Sequence, residues 1–330
     1  ELFNKAIQNH KNNKLNEAFK LYQIILNKNP NHFESNFYLG TLFAQGNNLI
    51  KASEFYKKAI EINNDVPDLH SNLGLVLLQL GEIQNAEVSI KKAIQINPNF
   101  AMGYNNLGLV NQKLGKYEEA KNFFKKSIEL EPNIVDPYNN LGLFYYSASN
   151  YEEAKKYFLK ILEINKNFIP AYLNLGNIYK KIGEIEKSQN YYEQIIKINP
   201  NYFEAYNNLM DLFEKTNQNK KLEKIISEAN IKFANNLVVQ LFYGKYLYNE
   251  ENYSNAISVL EGIKFPENQL HREGSKCLIL AKSYEKTGNY EQAFEYFRIT
   301  NNINSSNKNK NINKNNTFKT IEERFNFLKE

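Results

Sequence analysis

The sequence predicts an all-α solenoid of about nine helix–turn–helix repeats, and three observations carry that expectation. Leu-Gly pairs stand at Leu39-Gly40, Leu73-Gly74, Leu107-Gly108, Leu141-Gly142 and Leu175-Gly176, each 34 residues after the last. Twelve residues after each glycine comes a small residue (Ala52, Ala86, Ala120, Ala154, Ser188), and four later an apolar or aromatic one (Tyr56, Ile90, Phe124, Phe158, Tyr192). Repeats close on turns such as Ile96-Asn97-Pro98-Asn99, Leu130-Glu131-Pro132-Asn133 and Ile198-Asn199-Pro200-Asn201. Proline lacks an N–H and disfavours a helical predecessor, so each of these turns ends one helix and resets the chain for the next.

Along the chain, the first unit is partial: Ala18, Tyr22 and Pro30 sit at the matching phases, and its first helix is cut short or begins at Glu1. The five in-phase units each predict two amphipathic helices, for example about 67 to 80 and about 84 to 97, parted by Gly81. Glycine inside a helix costs up to about 1 kcal/mol against alanine. Its recurrence at one phase therefore predicts a close approach to the small residue of the second helix. The next unit has Met210 in the glycine place and Leu222 in the small one, and the following unit recovers Gly244 and Ala256. Residues 261 to 272 hold three extra residues, after which Ala281, Tyr284, Gly288, Tyr290, Ala293 and Phe297 resume the pattern. The irregular stretch 215 to 234 is the expected place for altered curvature.

This pattern resembles the tetratricopeptide repeat, over residues 1 to 304. A single unit cannot bury its apolar face alone. The resemblance implies stacking into a right-handed superhelix whose first helices line a concave groove for extended polypeptide.

Composition narrows the functional classes. The chain has 330 residues, 42% of them hydrophobic, with 41 basic and 36 acidic side chains and a net charge of +5. Residues 301 to 330 carry six basic and three acidic groups, leaving +2 on the first 300. A nearly neutral body argues against a nucleic-acid binder. Lysine outnumbers arginine 38 to 3, and Asn is abundant throughout, so single Asn and Lys residues carry little weight alone. The lone Cys277 excludes a disulfide framework and a Cys-rich metal site, and a reducing, cytoplasmic setting is expected. The four histidines share no ligand spacing, no apolar run is long enough for a membrane span, and no nucleophile triad or phosphate-binding loop occurs. The expectation is a protein or peptide partner, with no cofactor, metal, membrane or nucleic acid, and no catalysis in residues 1 to 330. Tyr104, Phe124, Tyr138, Tyr172 and Tyr206 fall at packing phases, as does His70, and Glu118-Glu119 and Glu152-Glu153 read as helix-start carboxylates rather than catalytic dyads.

The inward positions implied by the resemblance supply the candidate site. The sixth position of five consecutive units is Asn72, Asn106, Asn140, Asn174 and Asn208. A side-chain amide offers one acceptor and two donors, so such a ladder suits the main chain of an extended peptide. It resembles the asparagine ladder in the repeat arm of the O-linked N-acetylglucosamine transferase. Asn105, Asn139, Asn177 and Tyr146 are further inward candidates. Glu34, Asp68, Asp136 and Glu204 form an acidic line, and Phe37, Leu75, Leu78, Leu109, Leu143 and Leu173 an apolar floor. The Lys and Arg that chaperone-binding repeats use to hold a terminal carboxylate are missing from their places.

Residues 305 to 317 read as a polar linker, and Thr320 with Glu323 as a capping box opening a helix over 318 to 330. The run from Tyr290 to Asn302, followed by that linker and helix, resembles the junction at which bacterial tetratricopeptide repeats precede a sulfotransferase domain. This implies, as the alternative to a free-standing scaffold, the substrate-recruiting arm of a sulfotransferase, or less readily of a glycosyltransferase, whose catalytic domain lies beyond Glu330. A start without Met and a helix begun at 318 predict truncation at both ends.

Overall fold

A computed structural model describes residues 1–307, and among them it is all-α, with eighteen α-helices and one short 3₁₀ turn, Glu267–Gln269. The helices fall into nine pairs. The first helices are α1 (Leu2–Lys11), α3 (Phe33–Gln45), α5 (Pro67–Gln79), α7 (Ala101–Lys113), α9 (Val135–Ser147), α11 (Ile169–Lys181), α13 (Phe203–Lys215), α15 (Leu237–Asn249) and α17 (Leu270–Lys286). The second helices are α2 (Leu15–Lys28), α4 (Leu49–Ile62), α6 (Ile83–Ile96), α8 (Tyr117–Leu130), α10 (Tyr151–Ile164), α12 (Ile185–Ile198), α14 (Asn219–Phe233), α16 (Tyr253–Glu261) and α18 (Tyr290–Asn307). Two compact units result: Glu1–Ala171, and a second beginning at Tyr172 inside α11. α18 runs through residues 305–307, where the linker was expected to have begun. The rest of that linker and the further helix lie outside the described residues.

The repeat shows itself in the turn within each pair. Asn13, Asn47, Gly81, Gly115, Ser149, Gly183, Asn217, Glu251 and Gly288 have φ between 53° and 85°. The first eight are 34 residues apart, and Gly288 follows after 37, the three-residue insertion. Glycine takes this left-handed conformation without penalty, whereas Ser149 and Glu251 are held there against their preference.

A second device fixes the turn between pairs. The fourth residue of a first helix donates to the carbonyl six residues earlier: Asn36 to Pro30, Tyr138 to Pro132, Tyr206 to Pro200 and Gln240 to Ala234, at 2.9–3.2 Å. The His70 Nε2 lies 3.0 Å from the Asn64 carbonyl and takes the same place. Its aromatic neighbours in other repeats are therefore matched in hydrogen bonding as well as in packing.

The helix glycines do approach the second helix closely, but their main contact is not the expected small residue. A Cβ on Gly108 would stand 2.5 Å from the Phe124 ring, and on Gly142 2.7 Å from Phe158. The same holds for Gly40 with Tyr56, Gly74 with Ile90, and Gly176 with Tyr192. The bulky residue sixteen positions on fills the space, while the small residue sits at the backbone: the Ser188 hydroxyl donates to the Gly176 carbonyl at 2.9 Å.

The insertion is ordered. α16 stops at Glu261, and Ile263 and Phe265 are buried with Leu241, Leu260 and Leu280. The Lys276 ammonium, itself buried, donates to the Ile263 carbonyl at 2.8 Å and to Glu273 at 2.6 Å, and Glu273 accepts the Phe265 N–H at 2.9 Å.

Candidate peptide-binding groove

Within each unit, consecutive first helices touch one another, as α3 and α5, α5 and α7, α13 and α15, and α15 and α17 do. Clefts open instead between second helices: about 580 Å³ between α2 and α4, and about 480 Å³ between α12 and α14. The first helices thus form the closely set inner row.

In the first unit, the expected amide ladder is partly consumed by the fold. Asn106 and Asn105 are buried. Asn140 Nδ2 donates to Asn105 Oδ1 (2.9 Å), Asn105 Nδ2 to Asn106 Oδ1 (3.1 Å), and Asn106 Nδ2 to the Ser71 hydroxyl (2.8 Å). This chain ties α9 to α7 and α7 to α5. The Asn105 and Asn106 amides are thus buried and engaged within the fold. Asn139 is half-buried, and its Oδ1 is enclosed without a donor. Asn72 and Asn140 keep half-exposed amides, Tyr146 lies half-buried against Tyr151 (ring centroids 5.8 Å apart), and Asp68 and Asp136 are exposed. Leu75, Leu109 and Leu143 hold the ninth position of α5, α7 and α9: the first two are half-buried, Leu109 against the core of Phe124 and Leu141, and Leu143 is 40% exposed.

In the second unit, Asn174 and Asn208 are half-exposed with no side-chain hydrogen bond among the described residues. Asn177 Oδ1 accepts the Tyr192 hydroxyl at 2.7 Å and so serves packing. Here the inner row carries ion pairs that the sequence reading missed: Lys180 with Asp211 (3.4 Å), Asp211 with Lys215 (2.8 Å), and Glu214 with Lys245. The cross-helix pairs are 31 residues apart, the twelfth position of one repeat facing the ninth of the next. Opposite charges at that offset were the available signal.

Elsewhere, Glu118 and Glu152 pair with lysines three residues on, at 2.7 and 2.8 Å, and Lys156 pairs with Glu153 at 2.5 Å, as first-turn carboxylates. Burial pushes the Cys277 thiol up to about 11, away from nucleophilic reactivity at neutral pH. Among the described residues, no three His, Cys, Asp or Glu side chains gather as a metal site, and no helix is long and apolar enough to cross a membrane.

The tetratricopeptide repeat model matches residues 67–100, 101–134, 135–168, 169–202 and 277–298, and a further TPR repeat model matches 40–81, together more than half of the chain. The chain belongs to the tetratricopeptide repeat family. Among solved structures, this tetratricopeptide repeat protein is similar to PilF of Pseudomonas aeruginosa, at 22% identity over 64% of this chain and 97% of that one, with TM-score 0.52. It is also similar to PilW, a type IV pilus biogenesis factor, at 19% identity over 62% and 94%, with TM-score 0.54. MamA matches at 27% identity over 49% and 94%, with TM-score 0.42. The likenesses to PilF and PilW show a shared helical repeat fold. No curated protein matches the sequence. The sulfotransferase resemblance is not shown by these comparisons. The family is one of protein-interaction scaffolds, and its repeat fold is typically non-catalytic.

Proposed function

We propose that this tetratricopeptide repeat protein works by holding an extended polypeptide along its inner row of first helices. The observation that carries this reading is the line Leu75, Leu109 and Leu143 in the first unit, flanked by the half-exposed amides of Asn72 and Asn140. Apolar side chains of a ligand gain by leaving water against the leucines, while the amides satisfy main-chain groups without regard to sequence. In the second unit, Asn174 and Asn208 offer the same amides beside an inner row already neutralised by its own ion pairs. Each neutral hydrogen bond contributes about 0.5–1.5 kcal/mol, so the amides refine a site that the leucines supply.

The test is a displayed library of extended peptides selected against the full chain. Selected peptides should lose affinity for Leu143→Asp and keep it for Lys125→Asp, an exposed change on second helix α8. Peptides that depend on Lys125 and ignore Leu143 would place binding on the outer row and refute this reading.

A further inference from the structure

Resting on that reading, we infer that the first unit takes a basic, extended segment with an apolar side chain at about every third residue. The spacing follows from the helices. First helices in direct contact lie about 8–10 Å apart, and an extended chain advances about 3.3 Å per residue. A ligand crossing them therefore moves about three residues per repeat, and one anchor in three meets the successive leucines.

Charge supplies the other half. Glu34, Asp68 and Asp136 line the first turns of α3, α5 and α9, all exposed. Asp68 and Asp136 have no cationic partner among the described residues. Glu34 lies 3.4 Å from His32 Nδ1, the nitrogen that accepts the Ser35 N–H at 3.2 Å. On helices α3, α5, α7 and α9, no lysine or arginine occupies the second, fifth, sixth, ninth or twelfth position, and the thirteenth carries one cation, the exposed Lys113 of α7. Asp68 and Asp136 thus make no ion pair among the described residues, and a cationic ligand would neutralise them. In the second unit the ninth and twelfth places carry acids and lysines that neutralise one another, while Glu204, at the second place, is exposed like Asp68 and Asp136.

The probes are three synthetic peptides kept extended by proline: (Leu-Lys-Pro)₄, (Leu-Glu-Pro)₄ and (Ser-Lys-Pro)₄. Affinity is measured with the full chain at low and high salt. The lysine–leucine peptide should bind at least about tenfold more tightly than the glutamate one at low salt, with the gap narrowing as salt rises. The Asp68→Asn, Asp136→Asn double variant should lose most of that discrimination with unchanged circular dichroism. Equal binding of the lysine and glutamate peptides, both abolished by Leu143→Asp, would overturn the charge assignment and leave the groove standing. Equal binding of (Leu-Lys-Pro)₄ and (Ser-Lys-Pro)₄ would overturn the apolar register. Binding indifferent to Leu143→Asp and to both Asp changes, or no binding of any of the three, would overturn the inference. Loss of the groove itself would be read separately, from the displayed peptides that ignore Leu143.

Discussion

Replacing Gly108 puts the repeat's tightest contact to the test. A Cβ there meets Cε1, Cδ1 and Cζ of Phe124 at 2.5, 2.7 and 3.0 Å. Carbon atoms pack at about 3.5–4.0 Å, so the ring must retreat by about 1 Å. Phe124 has no exposed surface, and overpacking of this kind costs about 1–3 kcal/mol. Alanine returns about 1 kcal/mol of helix propensity. Gly108→Ala should therefore destabilise by about 1 kcal/mol and Gly108→Leu by about 3 kcal/mol. The first repeat shows that the array survives a methyl at this place, because Ala6 of α1 shares its core with Tyr22 of α2. Guanidinium midpoints followed by far-UV circular dichroism give the loss. A double-mutant cycle with Phe124→Leu isolates its cause, since relieving the ring should yield a coupling of about 1 kcal/mol. A Gly108→Ala protein more stable than the wild type, or strict additivity with Phe124→Leu, would refute the packing argument.

Three further outcomes follow from the same geometry. Asn106→Ala should cost about 1–3 kcal/mol by stranding the Ser71 hydroxyl and the Asn105 amide, whereas Asn208→Ala should shift the denaturation midpoint little. Ser149→Gly should stabilise by up to about 1 kcal/mol, read in the same assay, by removing a side chain from a left-handed turn. The Cys277 thiol, pushed from 9.0 to about 11 mainly by burial, should react with iodoacetamide at pH 8 about a hundredfold more slowly in the folded chain than in denaturant. The proton is retained by the folded state between those values, so stability should fall as pH rises from about 9 to about 11.

The period, the nine units and the three-residue insertion were legible because each leaves a mark at a fixed spacing. What the spacing could not give was the partner across a contact. Gly108 is one turn nearer to Ala120 in sequence than to Phe124, yet the helices meet so that the ring covers the glycine. The amides show the same limit: Asn106 and Asn140 occupy one phase, but Asn106 has Ser71 before it and is enclosed, while Asn140 remains half-exposed. Asn111 is likewise buried and donates to the Leu107 carbonyl at 2.8 Å. The clasp of Glu273 and Lys276 on the insertion was invisible because its acceptor and donor are backbone groups.

The hydrogen bond from a first helix back to the preceding turn bears on how such an array can grow. Its donor and acceptor lie six residues apart on opposite sides of the boundary at which a repeat is conventionally cut, as with Tyr138 and Pro132. A segment copied from residue 101 to 134 leaves its own corner acceptor waiting for a donor from whatever comes next. A segment copied from one left-handed turn to the following one, such as Gly115 to Ser149, brings both halves of the corner with it. Asn, His, Tyr and Gln all serve as that donor, so neighbours joined at the left-handed turn need not match in sequence. The natural currency of duplication here is thus a second helix followed by a first, and grafts designed on that frame should inherit their corners ready-made.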